Sequence, residues 1–140
     1  MFRSIRIPCA LSVCLLVGVA LGAVRIPAFT MTADAPAGAS GMGILNYVSG
    51  QNETIVQVIL SGFAKETVHQ HRLISNTHCL TPTGLFLTDA LGNATIHVKV
   101  GTTPIALDGC PADSDGDWSN ADIEISSGGV VQALGENPAP

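Results

Sequence analysis

The amino-acid sequence predicts an all-β fold, for three reasons. Short runs in which apolar and polar residues alternate with a period of two recur along the chain, as in half-buried strands. Turn-forming residues such as Gly, Asn, Asp and Ser separate these runs. The chain has one Trp, one Tyr and four Phe, so Val, Ile, Leu and Thr, which favour strands, must build its core. We therefore expect an antiparallel, immunoglobulin-like β-sandwich of about seven strands, preceded by a signal peptide.

Residues 1–23 have the three parts of a secretory signal peptide. Arg3 and Arg6 give a positive start, an uncharged and largely apolar run follows from Cys9, and small residues end the run at Ala23. The apolar run has about 15 residues, whereas a membrane-spanning helix needs about 20. We expect cleavage near Ala23, a secreted, periplasmic or cell-envelope location, and no permanent membrane span after cleavage. The alternative is an uncleaved anchor.

The rest of the chain divides into three parts. We expect a flexible lead over 24–41, which is rich in Ala, Pro, Thr and Gly, a β-sandwich domain over 42–134, and a flexible tail over 135–140. The alternation is clearest in the second predicted strand, where Val56 and Val58 share one face. The predicted strands are 44–48, 54–61, 67–74, 84–88, 94–100, 122–126 and 130–134.

The charge balance limits the class of partner. The whole chain has 6 Lys and Arg against 11 Asp and Glu. Removal of Arg3 and Arg6 with the signal leaves four basic against 11 acidic residues, a net charge of about −7. A nucleic-acid-binding protein needs a basic patch, so we expect no nucleic-acid partner. An acidic exported domain fits a cation site or a solvated surface, and its partner would be an extracellular or envelope ligand.

The cysteine count also depends on the signal. Removal of Cys9 and Cys14 leaves Cys79 and Cys110. An even number of cysteines in an exported chain predicts a disulfide, here between those two residues. It would close a loop of about 30 residues and stabilise the fold by roughly 3–4 kcal/mol. The alternatives are two unpaired buried thiols or a metal site that combines Cys79 with His78.

A histidine pair is the first candidate metal site. His69 and His71 are two residues apart in a predicted strand, so their side chains share one face. Two imidazoles on one face can bind copper or zinc, and His78 in the following loop is a candidate third ligand. The alternative is a polar outer face beside Gln70 and Arg72, where the guanidinium would repel a cation.

The acidic segment 108–124 is the second candidate metal site. It contains six carboxylates and neither Lys nor Arg. Oxygen ligands fall at positions 1, 3, 5, 7 and 12 of a 12-residue calcium loop. Position 6, where an EF-hand needs Gly, is Trp118, and no helix is predicted on either side, so we expect a looser extracellular calcium loop. The alternative is an acidic surface loop that keeps the domain soluble. The predicted calcium ligands are Asp113, Asp115, Asp117, Ser119 and Glu124.

Residues 42–100 carry a recurring order of motifs. A strand, a turn and a second strand that ends in Gly-Phe are followed by a His-x-His strand, a cysteine, and an Asp-x-x-Gly-Asn-Ala turn. This order resembles exported bacterial domains of the chordin-type (CHRD) and copper/zinc superoxide-dismutase-like β-sandwich group. The matching stretches are 43–47, 50–51, 56–63, 69–71 with Cys79, and 87–95.

The resemblance implies two functions. CHRD-like domains are generally assigned no enzymatic activity, so the first is a binding or structural module, to which the acidic segment would add calcium as a cofactor. Copper/zinc superoxide dismutases carry a His-x-His pair before a disulfide cysteine, matched here by His69, His71 and Cys79, so the alternative is a copper- or zinc-dependent oxidoreductase. A dismutase needs more histidines and an aspartate, whereas only His97 follows Cys79. A carbohydrate or surface adhesion module is a third function, by analogy with the fold.

Overall fold

The computed structural model describes residues 23–74, 84–101 and 117–138. Within these residues the secondary structure consists of strands, without a helix. The prediction of an all-β fold is therefore confirmed. The strands are β1 (Val24–Ile26), β2 (Thr30–Met31), β3 (Ser40–Val48), β4 (Glu53–Ser61), β5 (Val68–Ile74), β6 (Gly84–Leu87), β7 (Ala94–Val100), β8 (Asp122–Ser127) and β9 (Val130–Gly135).

The strands form two antiparallel sheets. One has four strands in the order β1-β3-β4-β7, and the other has five in the order β2-β9-β8-β5-β6. The apolar face of β4 is buried, as its alternation predicts, and it includes Val56 and Val58. In the five-stranded sheet, Ile123 and Ile125 of β8 are also buried. The core therefore lies between the two sheets.

Seven of the strands correspond to the seven predicted runs. The agreement is complete for β7, which spans Ala94–Val100 as expected. The largest difference is at β3, which begins at Ser40, four residues before the predicted start. Alternation is a reliable guide to strands of this length because side chains in a strand point to opposite faces in turn.

The range 24–41, for which the sequence predicts a flexible lead, contains β1 and β2. β1 pairs with β3 in the four-stranded sheet, and β2 pairs with β9 in the five-stranded sheet. Ile26 and Phe29 are buried in the core. The difference arises because both strands are stabilised by pairing at the sheet edges and by burial of these side chains. Neither strand is long enough to show a periodic pattern.

The ring of Phe29 occupies a slot between the two sheets that three glycines keep open. A Cβ atom on Gly41 would lie 2.8 Å from Cδ2 of Phe29, and a Cβ atom on Gly135 would come closer still to the same ring. A Cβ atom on Gly43 would lie 2.7 Å from Cδ1 of Ile123. Close approach of the two sheets therefore requires glycine at these positions.

Candidate functional site

Strands β5 and β6 carry different features on their two faces. His69, His71 and Leu73 of β5 point inward, whereas Gln70 and Arg72 point outward. The prediction that the two histidines share one face is confirmed. That face is the buried interior: His69 is 0% exposed and His71 is 8% exposed. The alternative prediction, a polar outer face that includes the histidines, is therefore wrong.

His69 lies between two aromatic rings. Its imidazole stacks on Phe86, its cross-strand partner in β6, with centroids 5.4 Å apart and an interplanar angle of 21°. Phe63 meets the imidazole edge to face, with centroids 5.6 Å apart at 83°. Neither ring nitrogen of His69 has a hydrogen-bond partner in the described part of the chain. Buried polar atoms without hydrogen-bond partners are energetically costly and uncommon, so the burial of the two His69 ring nitrogens suggests a specific role for this side chain.

His71 lies against Gly84, which is its cross-strand partner in β6. Any side chain at Gly84 would collide with the imidazole, so glycine leaves the space that this ring fills. The Nδ1 atom of His71 is also buried without a partner among the described residues. Burial lowers the pKa of His71 below its ordinary value of 6.5, because the charged imidazolium is poorly solvated there. The ring is therefore neutral at pH 7 and keeps a lone pair.

Imidazole nitrogens with a free lone pair are ligands for copper and zinc. The structure brings His69 and His71 together on one strand face, which supplies two donor groups. His78, the predicted third ligand, lies outside the described residues. Within the described ranges, no group of three or more His, Cys, Asp or Glu side chains is placed to hold a metal ion.

The structure describes part of the predicted calcium segment. Asp113 and Asp115 lie outside the described residues. The Oδ1 atom of Asp117 accepts a hydrogen bond from the backbone N–H of Ser119, at 2.9 Å. The carbonyl oxygen of Ser119, the predicted ligand at position 7, accepts a hydrogen bond from Nδ2 of Asn137 at 2.7 Å. These contacts position the end of the segment and tie the C-terminal residues to it.

Glu124, the predicted ligand at position 12, forms an ion pair. Its Oε1 atom lies 2.7 Å from Nε of Arg72, the residue opposite it in the pairing of β5 with β8. Glu124 is buried on the outer face of the five-stranded sheet, whereas the Arg72 side chain is partly exposed. The guanidinium that was expected to repel a cation from the histidines instead neutralises this carboxylate.

Trp118 occupies the position at which an EF-hand loop needs glycine, and it is a core residue. Its side chain is buried in the hydrophobic cluster between the sheets. Its backbone N–H donates to Oγ1 of Thr54 at 2.8 Å, and its indole Nε1–H donates to the carbonyl of Gly101 at 3.4 Å. Trp118 therefore anchors the end of the acidic segment to β4 and to the end of β7.

The outer face of β5 and β6 exposes three large apolar side chains, which we call the apolar ribbon: Val68, Leu85 and Leu87. Their exposed fractions are 56%, 67% and 63%. Val68 and Leu87 are direct cross-strand partners, and Leu85 is two residues before Leu87 on the same face. Sequence reasoning did not find this surface, because Gly-Leu-Phe-Leu shows no polar position that distinguishes outside from inside.

Contacts at the end of β6 fix the position of the apolar ribbon. Oγ1 of the buried Thr88 donates to the carbonyl of Ala64 at 2.5 Å and accepts from the N–H of Thr67 at 3.0 Å. A shallow, open depression of about 360 Å³ adjoins Leu87. Its other lining residues are Thr88, Asp89, Asn93, Ala94 and Thr95.

Asp89 builds the turn that leads from β6 into β7. Its Oδ1 atom accepts hydrogen bonds from the N–H groups of Asn93 and Leu91, both at 2.8 Å. These two backbone hydrogen bonds lower the pKa of Asp89 below its ordinary value, and the one from Asn93 has the larger effect. The carboxylate is therefore charged at neutral pH and holds the turn beside the apolar ribbon.

Comparison with known proteins adds no relative. No family model, curated protein or solved structure matches this chain. Among the described residues, there is no helix long and apolar enough to cross a membrane.

Proposed function

We propose that the chain is an exported, non-enzymatic binding module, an immunoglobulin-like β-sandwich that recognises its partner through the apolar ribbon. The observation that carries the proposal is the exposure of Val68, Leu85 and Leu87 side by side at one edge of a sheet. Single exposed apolar residues are common on protein surfaces, but contiguous ones mark interaction sites.

A second exposed apolar pair provides a useful comparison. Met42 and Ile59 are cross-strand partners on the outer face of the four-stranded sheet, and Ile59 is 52% exposed. Their strands lie inside that sheet, where β3 and β4 have partners on both sides. Ile59 also lies opposite the exposed Thr95. The apolar ribbon differs because two of its three side chains, Leu85 and Leu87, lie on the end strand of their sheet.

Export is supported by the sequence of residues 1–23, with its positive start, apolar run and small-residue end. In an oxidising compartment Cys79 and Cys110, both outside the described residues, would form the disulfide. Fractionation of producing cells, followed by N-terminal sequencing of the accumulated chain, tests this part. A chain that begins near Ala23 outside the cytoplasm agrees with the proposal, and an intact cytoplasmic chain contradicts it.

Calcium bound by Asp113, Asp115 and Asp117 would stiffen the acidic segment in the exported protein. The other two predicted ligands are left out of this set, because the Ser119 carbonyl accepts from Asn137 and Glu124 pairs with Arg72. The cation would offset the repulsion between these carboxylates. A ligand that binds only the folded chain raises its stability, so calcium should raise the melting temperature and a chelator should lower it. An unchanged melting temperature removes calcium from the proposal.

Site-specific photo-crosslinking tests the binding surface directly. A photoreactive amino acid is placed at Leu85 in one variant and at Ile59 in the other, and both are irradiated in the producing cells. We expect a discrete crosslinked product from the Leu85 variant and none from the Ile59 variant, because both positions are apolar and more than half exposed but only Leu85 belongs to the apolar ribbon. No product at Leu85, or the same product at both positions, contradicts the proposal.

The buried histidines favour a second candidate function, a copper- or zinc-dependent oxidoreductase of the superoxide-dismutase-like group. The observation behind it is the set of unpartnered imidazole nitrogens on His69 and His71. Copper held there would supply one-electron redox chemistry, with the two imidazoles as ligands. Metal analysis of the purified protein tests it: stoichiometric copper that is lost in His69→Phe favours this function, and absence of bound metal removes it.

A further inference from the structure

Strand β6 is the end strand of the five-stranded sheet. It pairs with β5 on one side, and no described strand pairs with it on the other. An end strand offers unpaired N–H and C=O groups to an incoming strand, and proteins usually protect such edges with charges, proline or bulges. β6 has the sequence Gly-Leu-Phe-Leu, with none of these protections.

The other described sheet edges differ from β6. β1 carries the exposed Arg25, and β7 carries the exposed His97 and Lys99. β2 is only two residues long. Among the edges that the structure describes, β6 is therefore the one with several residues and no charge. Two copies of this acidic chain can approach along it without bringing like charges on the strands together.

β6 is also complementary to itself. In an antiparallel pair related by a two-fold axis midway between the two Phe86 residues, these residues lie opposite each other, and Leu85 of one copy lies opposite Leu87 of the other. The outward leucines then remain on one face and the inward phenylalanines on the other, which is the condition for a matched register. β6 carries apolar side chains on both faces, so a second copy matches its edge on the outward and on the inward side.

From this geometry we infer that the occupant of the β6 edge is a second copy of the same chain. The inference rests on the proposed function, because Leu85 and Leu87 of the apolar ribbon would contact each other's counterparts across the new strand pair. Pairing of the two β6 strands joins two five-stranded sheets into one continuous sheet. It also brings Val68, Leu85 and Leu87 of both copies into one apolar surface. Strand addition of this kind combines main-chain hydrogen bonds with side-chain packing in an isologous interface.

Sedimentation velocity on the full-length chain, purified in the form that its producing cells accumulate, measures the association. We expect a species of twice the single-chain mass that dissociates on dilution. Leu85→Lys places a charge at the uncharged edge and should raise the dissociation constant at least about tenfold. Ile59→Lys, at a similarly exposed apolar position away from the edge, should leave it unchanged. A wild-type chain that is monomeric at all concentrations, or equal effects of the two lysines, overturns the inference.

Disulfide trapping tests the register. Leu85→Cys and Leu87→Cys are single variants, and a mixture of the two should form a disulfide-linked heterodimer under mild oxidation. Residues directly opposite in an antiparallel pair have Cα atoms about 4.5–5.5 Å apart, within disulfide range. A mixture of Leu85→Cys with Ile59→Cys should form none. Failure of the first mixture, or equal yield from both, overturns the β6 pairing.

The crosslinking experiment at Leu85 separates this inference from the proposed function. A product of twice the chain mass supports both. A product of any other mass leaves the binding surface in place but shows that its partner is a different molecule, which overturns the inference. Absence of a product overturns the proposed function itself.

Discussion

Phe86 stacks on the imidazole of His69, its cross-strand partner, with ring centroids 5.4 Å apart. On the opposite face of the same two strands, Leu87 lies beside Val68 and both are exposed. The inward face of β6 therefore packs the end strand onto the core, while the outward face presents the apolar ribbon. In the proposed function, binding through this ribbon therefore depends on how firmly the inward face is packed.

Acid should destabilise the fold through His71. Burial lowers the pKa of His71 in the folded chain, whereas the unfolded chain has the ordinary value of 6.5. Below about pH 6.5 the unfolded chain therefore takes up a proton that the folded chain resists. The stabilisation from the neutral ring is complete above that pH and decreases as pH falls toward the folded pKa, by at most about 1.4 kcal/mol per pH unit.

Urea denaturation at about pH 7.5 and about pH 5.5 measures this effect. His71→Leu should lose less free energy of unfolding between the two pH values than the wild type does. His97→Leu, at an exposed position of β7, should lose as much as the wild type. Equal pH dependence of the wild type and His71→Leu would show that His71 is not the acid-sensitive group.

The glycine slot around Phe29 should be intolerant of a methyl group. Gly135→Ala places its Cβ atom against the Phe29 ring and should lower the free energy of unfolding by about 1–3 kcal/mol. Gly50→Ala is the control, because a Cβ atom there has no neighbour within 4 Å, and its effect should stay within about 0.5 kcal/mol. Urea denaturation followed by Trp118 fluorescence measures both. Equal stability of the two variants would contradict close packing of Phe29 against Gly135.

The hydroxyl of Thr54 should stabilise the anchor at Trp118. Thr54→Val keeps the shape of the side chain but removes the acceptor of the Trp118 N–H, which is then buried without that bond. We expect a loss of about 1–3 kcal/mol in the free energy of unfolding. Thr54→Ser should retain most of the stability, and the exposed Thr95→Val should change it little. Urea denaturation followed by Trp118 fluorescence measures the free energy of unfolding of these variants. A Thr54→Val variant as stable as Thr95→Val would refute the role of this hydrogen bond.

The ion pairs Arg72–Glu124 and Lys99–Glu53 should differ in their contribution to stability. Arg72→Met leaves the buried Glu124 carboxylate unpaired and should cost about 1–3 kcal/mol. The double variant with Glu124→Met should recover part of this loss, because no buried charge remains. Lys99→Met breaks the more exposed pair with Glu53 and should cost less than about 1 kcal/mol. Thermal or urea denaturation of the three variants gives the comparison, and equal costs for Arg72→Met and Lys99→Met would contradict it.

The longer strands could be predicted because their environments differ on the two faces. β7 is an example: Ile96 faces the core while His97 and Lys99 face solvent, and its observed bounds match the prediction. β1 and β2 could not be predicted in this way. They have three and two residues, so their existence depends on distant partners in β3 and β9 rather than on a local pattern.

Prediction of the candidate sites was limited in the same way, because a local sequence pattern does not show which distant residues pack against it. The spacing of His69 and His71 was enough to place them on one face, but not to show which face, because both faces of β5 contain polar residues. Phe63 and Phe86, which enclose His69, come from other parts of the chain. The apolar ribbon was missed because both faces of β6 are apolar, and only the pairing of β6 at the end of the sheet shows which face is exposed.

Photo-crosslinking at Leu85 in producing cells, with Ile59 as the matched position, is the most direct test of the central claim that the apolar ribbon is a binding surface. We predict a discrete product at Leu85 and none at Ile59. No product at Leu85, or an identical product at both positions, would contradict the claim.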